Sequence, residues 1–353
     1  MAPWGRDASS QPRIGIDSMR VAVVYNLPTL DPAHPDYASE AGVFASLDAI
    51  AGALEGHGHV VERVGIGHDY TPLVELAARP TRPAVIVNLC ESFAGSSAAE
   101  AHFAALLELT GIPYTGNTPE TLALARDKAR TKWQLRGAGA PTAEFLLVRR
   151  GEPAPRERLE RALARGPQFI KPASEDASLG ISGENVVTQL APALAKIEEL
   201  RNRYGDVLVE EYIDGREFNV GVVALPDPQL LPLAEVNFGH DPNCAHRIVT
   251  YDAKWTPGSG GWRSTPVNCP AEVEASLAER IRAVALAAFV LTGCRDYARI
   301  DLRVRGDEVF VLEVNANPDL DPEAGFARAL RAGGFAYEDF AERLVRCAAE
   351  RGG

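Results

Sequence analysis

Apolar positions recur along this chain with two alternating periods. Arg20–Asn26 (RVAVVYN) is a β-branched run that ends in a Pro- and Asp-rich stretch, the pattern of a buried strand feeding a surface connection. Val43, Leu47, Ile50 and Leu54 then recur in steps of four, three and four, which makes one helix face apolar, and His57-Gly58-His59 closes that helix. Val60–Val64 and Ala84–Leu89 predict two further strands, and residues 98–109 a helix. Strand–helix alternation of this kind predicts a parallel sheet over residues 20–118.

Thr118-Pro119 opens the next helix, with proline at an early position where its missing N–H costs least. A second helix is expected from Asp127 to Gly137, strands at Phe145–Val148 and Gln168–Lys171 around a charged helix (156–165), and a further helix at Ala191–Tyr204. Residues 119–207 thus read as a mixed α/β unit. From Val207 the pattern turns β-rich (VLVEEYI, REFNVGVVAL, QLLPLAEVNF), and residues 239–270 show little periodicity, the pattern of a long functional loop. A helix over 271–292 leads to a strand pair, Ala298–Val304 and Glu308–Asn315, turning at Gly306-Asp307, and two amphipathic helices finish the chain. The expected division is a flexible extension at 1–19, then units at 20–118, 119–207 and 208–353.

Composition narrows the functions open to this fold. The 353 residues are 46% apolar, and 36 Lys and Arg against 48 Asp and Glu leave a net charge of −12. That balance argues against a nucleic-acid binder, which needs a basic face. The longest apolar stretch, Ala283–Leu291, is about half of what a membrane span needs, and the N-terminus has no secretory pattern. Five scattered cysteines without a CxxC pair argue against a disulfide framework or zinc site and fit a reducing cytoplasm.

Three constellations carry chemistry. Asp301 on one strand and Glu313 and Asn315 on the next lie at similar height in the predicted hairpin, with 313 and 315 on one face. Two carboxylates and an amide oxygen make a hard-cation site, where Mg2+ would complete its shell with water and phosphate oxygens; a solvated polar strand face is the plainer alternative. Lys171 ends a strand before the small polar loop Ala173–Gly180, an arrangement suited to phosphate, and Lys128 starts a helix; either lysine could equally be a surface charge. Glu210 ends an apolar strand where a carboxylate could take an adenine amine, and Glu217 could take a ribose hydroxyl, unless the pair is an ordinary acidic turn. HExxH, GxSxG, GxxxxGK[ST] and complete GxGxxG motifs are absent, and His102 reads as structural.

Taken together these pieces resemble the ATP-grasp superfamily, in its D-alanine–D-alanine ligase-like branch, over residues 85–334. The carriers are NLCESFAG, TGNTPETLALARDKARTKWQL, FIKPASEDASLGIS, VLVEEYIDGREFNV, YDAKW and ARIDLRV…VFVLEVNANPDL. The resemblance implies a three-domain α/β fold, a parallel-sheet N-terminal domain followed by central and C-terminal α+β domains that clamp ATP. It implies that Lys128, Lys171 and Ser178 hold ATP phosphates, that Glu210 and the backbone near Ile213 hold adenine, and that Glu217 holds ribose. Lys254 would approach the γ-phosphate, Arg299 would stabilise the tetrahedral oxyanion, and Asp301, Glu313 and Asn315 would hold two Mg2+ ions, replaceable by Mn2+. The reaction implied is carboxylate–amine ligation through an acyl phosphate, on small-molecule substrates, with a homodimer as the assembly the family suggests.

The substrate half departs from the family. No Gly-rich first loop with an ammonium-anchoring glutamate can be placed, Ala177 stands where the lid serine belongs, and Trp255 replaces the tyrosine after the loop lysine. The stretch after Asn315 is Asn317-Pro318-Asp319-Leu320-Asp321-Pro322-Glu323, acidic where the family receives a carboxylate. With Glu91, Trp255, Asp319 and Asp321 on the substrate side, substrates other than two D-alanines are expected. The competing expectations are a D-alanine–D-alanine ligase with unusual loops and a non-catalytic ATP-binding module.

Overall fold

The computed structural model describes residues 18–31, 37–175, 178–239, 246–255 and 258–352. All but the last two residues of the expected extension, together with Ala177, lie outside them, as does the side chain of Trp255.

In the first unit, β1 (Arg20–Asn26) lies between β2 (Val60–Ile66) and β3 (Val85–Leu89), all parallel. Between and after them run α1 (Tyr37–Ala41), α2 (Val43–Gly56), α3 (Thr71–Ala78) and α4 (Glu100–Leu109). The apolar face expected of α2 is buried through Leu47, Ile50 and Leu54. On the opposite side of the sheet, Leu73, Leu76, Phe103 and Leu107 of α3 and α4 pack against Ala22, Val24 and Ile86.

The second unit opens with α5 (Pro119–Arg126), capped by Thr118, and α6 (Lys128–Gly137), capped by Asp127, whose carboxylate accepts from the Arg130 N–H at 3.0 Å. An antiparallel sheet follows, made of β4 (Phe145–Val148), β5 (Gln168–Pro172), β6 (Val186–Val187) and β7 (Val207–Glu211) in the order β4-β7-β5-β6. One face packs on α7 (Arg156–Leu163) and α8 (Leu190–Tyr204) through Leu159, Ile170, Ile197, Leu200 and Val209, and part of the other packs on α6 through Phe145 and Leu208 against Ala129. Because β7 pairs with β4 and β5, the expected boundary at 207/208 cuts through a strand; the chain leaves this sheet after Glu211.

The third sheet has six strands: β8 (Arg216–Ala224), β9 (Pro228–Leu230), β10 (Ala234–Val236), β11 (Val267–Asn268), β12 (Asp296–Arg305) and β13 (Glu308–Asn315), ordered β11-β10-β8-β12-β13 with β9 on β8. The segment 239–270, expected to lack structure, holds α9 (Tyr251–Trp255), α10 (Gly260–Ser264) and β11 among its described residues. One face of the sheet is covered by α11 (Ala275–Leu291) through Ile281, Ala285 and Phe289. The last helices, α12 (Gly325–Ala332) and α13 (Tyr337–Glu350), return to the first unit, where Phe326, Leu330, Phe340 and Leu344 share a core with Val21, Val23, Ile50 and Val87. No helix among the described residues is long and apolar enough to cross a membrane, and the four described cysteines are free.

Candidate active site

Each of the two antiparallel sheets buries one face under helices and turns the other toward a shared cavity of about 1710 Å3. Register dictates what the third sheet presents there. Asp301 of β12 pairs with Asn219 of β8 and Glu313 of β13; Arg299 pairs with Gly221 and Asn315; Arg303 pairs with Glu217. Alternation puts all of these on the cavity side, while Phe218, Val220, Ile300 and Leu302 face α11. Strict alternation along β13 would send Glu313 into the core with Val309 and Val311. A register shift opposite Asp301/Leu302, at Leu312, supplies the extra residue that turns Glu313 to the cavity.

The carboxylates of this face are held by cations. Arg299 donates from Nε and Nη2 to the two oxygens of Asp301 at 2.8 and 2.9 Å, and Asn219 Nδ2 donates to Asp301 Oδ1 at 2.8 Å. Burial would lower the Arg299 guanidinium, but Asp301 outweighs it and raises it above its ordinary value. Lys128 Nζ stands 3.0 Å from Glu313 Oε1 and donates to the Glu175 carbonyl at 2.5 Å. Glu217 accepts from Arg303 Nε and Nη2 at 2.9 and 2.8 Å; both bonds end on Oε2, so Oε1 takes neither.

Across the cavity, Glu210 of β7 is buried between two lysines, with Lys171 Nζ 2.6 Å from Oε1 and Lys132 Nζ 2.9 Å from Oε2. Burial alone would raise this carboxyl, but Lys132 and Lys171 outweigh it and hold it below the usual carboxylate range. Burial pushes the Lys132 ammonium down. The Lys132 contact is an ion pair off hydrogen-bond angle, so Oε2 remains a buried acceptor without a hydrogen bond.

The remaining expected residues converge on the same cavity: Ser178, Ile213, Lys254, Glu91, Asp319 and Asp321 all line it. Ser178 adopts a left-handed backbone (φ 60°), and its hydroxyl donates to the Val249 carbonyl at 3.1 Å. Lys254 is solvent-accessible through the cleft, yet surrounding protein atoms and then Arg299 push its ammonium below the ordinary value, against Glu313 and Asp301. Asp319, also open to the cleft, accepts from Ser46 Oγ at 3.3 Å and from the Asp321 N–H at 2.8 Å, and desolvation raises its carboxyl.

Sequence reasoning missed Lys132, Arg303 and Asn219. Lys132 lies four residues after Lys128 on α6, and Arg303 two residues after Asp301 on β12, so helix and strand periods could have flagged both. Among the described residues no group of three or more His, Cys, Asp or Glu gathers as a metal cage. Two carboxylates and an amide fit instead a cation that keeps water or phosphate oxygens in its shell, as Mg2+ does.

The family model described as D-ala D-ala ligase C-terminus matches residues 135–346. An uncharacterized protein of Sinorhizobium fredii is 34% identical over 269 residues, 76% of this chain and 75% of that one. The D-alanine–D-alanine ligase of Desulforudis audaxviator is 33% identical over 309 residues, 86% of this chain and 92% of that one. The crystal structure of D-alanine–D-alanine ligase from Bacillus anthracis complexed with ATP matches with a TM-score of 0.75 at 19% identity, covering 95% of this chain and 99% of that one. At that identity the likeness is one of fold, and it is the fold that the sequence resemblance implied.

Proposed function

The chain belongs to the D-alanine–D-alanine ligase family, and on that premise we propose an ATP-dependent ligase that joins a carboxylate to an amine through an acyl phosphate, with substrates other than two D-alanines. The observation that carries the reading is the single polar sheet face bearing Glu217, Asp301, Glu313, Asn315 and Arg299, met across one cavity by Lys128, Lys171 and Glu210.

Phosphoryl transfer from ATP needs positioning and charge neutralisation more than a side-chain nucleophile. Glu210 and the Oε1 of Glu217 would take the adenine amine and a ribose hydroxyl. Lys128 and Lys171, each now facing a carboxylate, would exchange that partner for phosphate oxygens, and Lys254 would reach the γ-phosphate. Asp301, Glu313 and Asn315 would hold Mg2+, which, when bound, neutralises the charge developing on the phosphates. Arg299, now paired with Asp301, would stabilise the tetrahedral oxyanion that forms when the amine attacks the acyl phosphate.

The stretch expected to receive the substrates carries Asp319, Asp321 and Glu323 on the cavity wall. A second free carboxylate is disfavoured there, and an amine-bearing side chain is favoured. The competing reading, a ligase of two D-alanines, is supported by the name of the Desulforudis relative over 92% of its length. Asp319→Gly tests the placement of this loop, and phosphate release over a panel of amino-acid pairs separates the two readings. The variant should change which substrate pairs release phosphate while leaving ATP affinity within about twofold, less than 0.5 kcal/mol. An effect on ATP affinity alone would contradict the placement of this loop on the substrate side.

A further inference from the structure

Arg303 is 4% exposed and makes bonds that no single role in nucleotide contact requires. Its Nη1 donates to the Ile213 carbonyl at 2.9 Å, at the backbone turn between β7 and β8, and its Nε and Nη2 hold Glu217. Its Nη2 also donates to the carbonyl of Arg247, which belongs to the segment leading into α9. One planar fork therefore ties together the turn and the carboxylate assigned to the nucleotide and the segment that carries Lys254.

That segment is fastened at other points along its length. The Arg247 N–H donates to Tyr212 Oη at 2.9 Å, and the His246 ring lies edge-on to Tyr212 with centroids 5.3 Å apart. Toward the second unit, Ser178 Oγ donates to the Val249 carbonyl and the Tyr251 N–H donates to the Ile181 carbonyl at 3.1 Å. The segment thus bridges both halves of the clamp immediately before Lys254. The Arg303 guanidinium also lies over the rings of Tyr212 and Phe238, 5.7 and 5.1 Å from their centroids, which fixes its plane.

We propose that Arg303 is a positioning residue that couples occupancy of the nucleotide site to fastening of residues 246–255, so that Lys254 is delivered to the cavity when Glu217 and the turn at Ile213 are engaged. The inference rests on the nucleotide site proposed above. A lysine carries the charge but not the fork, and a methionine carries neither. Arg303 therefore predicts two linked losses on substitution, in nucleotide affinity and in protection of the Arg247 backbone.

The experiment is limited trypsin digestion, with the cut after Arg247 followed by mass spectrometry, alongside calorimetric titration with ADP and Mg2+. In the wild-type chain ADP should slow cleavage after Arg247. Arg303→Met should weaken ADP binding by about tenfold or more and raise cleavage after Arg247 by a similar factor whether or not ADP is present, with Arg303→Lys between the two. Wild-type affinity and wild-type protection in a folded Arg303→Met would overturn the proposal. Should that variant fail to fold, Tyr212→Phe, which removes the acceptor of the Arg247 N–H and a donor to the Arg247 carbonyl, should still speed the same cut; an unchanged rate would overturn it equally. ADP failing to bind the wild-type chain would instead refute the nucleotide site itself.

Discussion

Replacing Glu210 by glutamine isolates the charge balance at the buried end of the cleft. The side chain is 2% exposed, and its oxygens meet Lys171 and Lys132 at 2.6 and 2.9 Å; Lys132 is itself 1% exposed. The native cluster holds one anion for two cations, and the amide leaves two cations with none. Volume is conserved, so cavity formation contributes little, and removal of one partner from a buried pair costs about 3–5 kcal/mol. Lys132→Met leaves a one-to-one pair and loses a hydrogen bond to Thr142 Oγ1 at 2.7 Å, a cost of about 1 kcal/mol. Combined with Glu210→Gln it also removes one of the uncompensated cations, so the double variant should fall short of additivity by about 1–3 kcal/mol. Burial already lowers Lys132, so in Glu210→Gln that lysine sheds its proton more readily folded than unfolded, and the loss should shrink as pH rises toward the free-lysine value. Urea unfolding of the four proteins gives the numbers from midpoints at constant slope. A Glu210→Gln loss under about 1 kcal/mol, or strict additivity, would refute the cluster as one electrostatic unit.

Other parts of the account are tested separately. Glu313→Gln should abolish ATP-dependent phosphate release in a chain that still folds cooperatively in urea, its midpoint lowered by loss of the ion pair with the buried Lys128; retained turnover would remove it from the metal set. Gly215→Ala would place a methyl 1.9 Å from the Val304 carbonyl oxygen, so β8 and β12 must part, at a cost of about 1–3 kcal/mol or more; a neutral result in urea would contradict that approach. Glu342 binds the His59 Nε2 at 2.6 Å and also Arg346; burial opposes, but these bonds hold its carboxyl below the ordinary value. A depressed folded value means the contribution is complete above the unfolded carboxylate range and is lost as pH falls through the lower folded one. Glu342→Gln should flatten the acid limb of Tm against pH, and an unaltered limb would contradict the linkage.

The polar hairpin was legible because period-two spacing and turn chemistry are local, and Asp301 does face Glu313. The bulge at Leu312 was not, since alternation from Val309 and Val311 alone would have buried Glu313. Assigning β7 to the third unit followed from its β-rich neighbours, and only pairing with β4 and β5 reveals its sheet. Likewise nothing local in Phe340 or Leu344 announces that α13 closes the core of the first unit. The short helices near 251–264 carry too few turns to show a period. Period alone could place Lys132 beside Lys128 and Arg303 beside Asp301, but not the carboxylates they answer, Glu210 and Glu217, which lie on other elements.

The central claim, a ligase whose amino-acid site is not built for two D-alanines, is tested most directly by ATP-dependent phosphate release over pairs of D- and L-amino acids, including those with amine-bearing side chains. The account predicts release that depends on both substrates and is strongest for a pair with such a side chain, with D-alanine alone a poor substrate. Efficient turnover of D-alanine alone, exceeding every other pair, would contradict it.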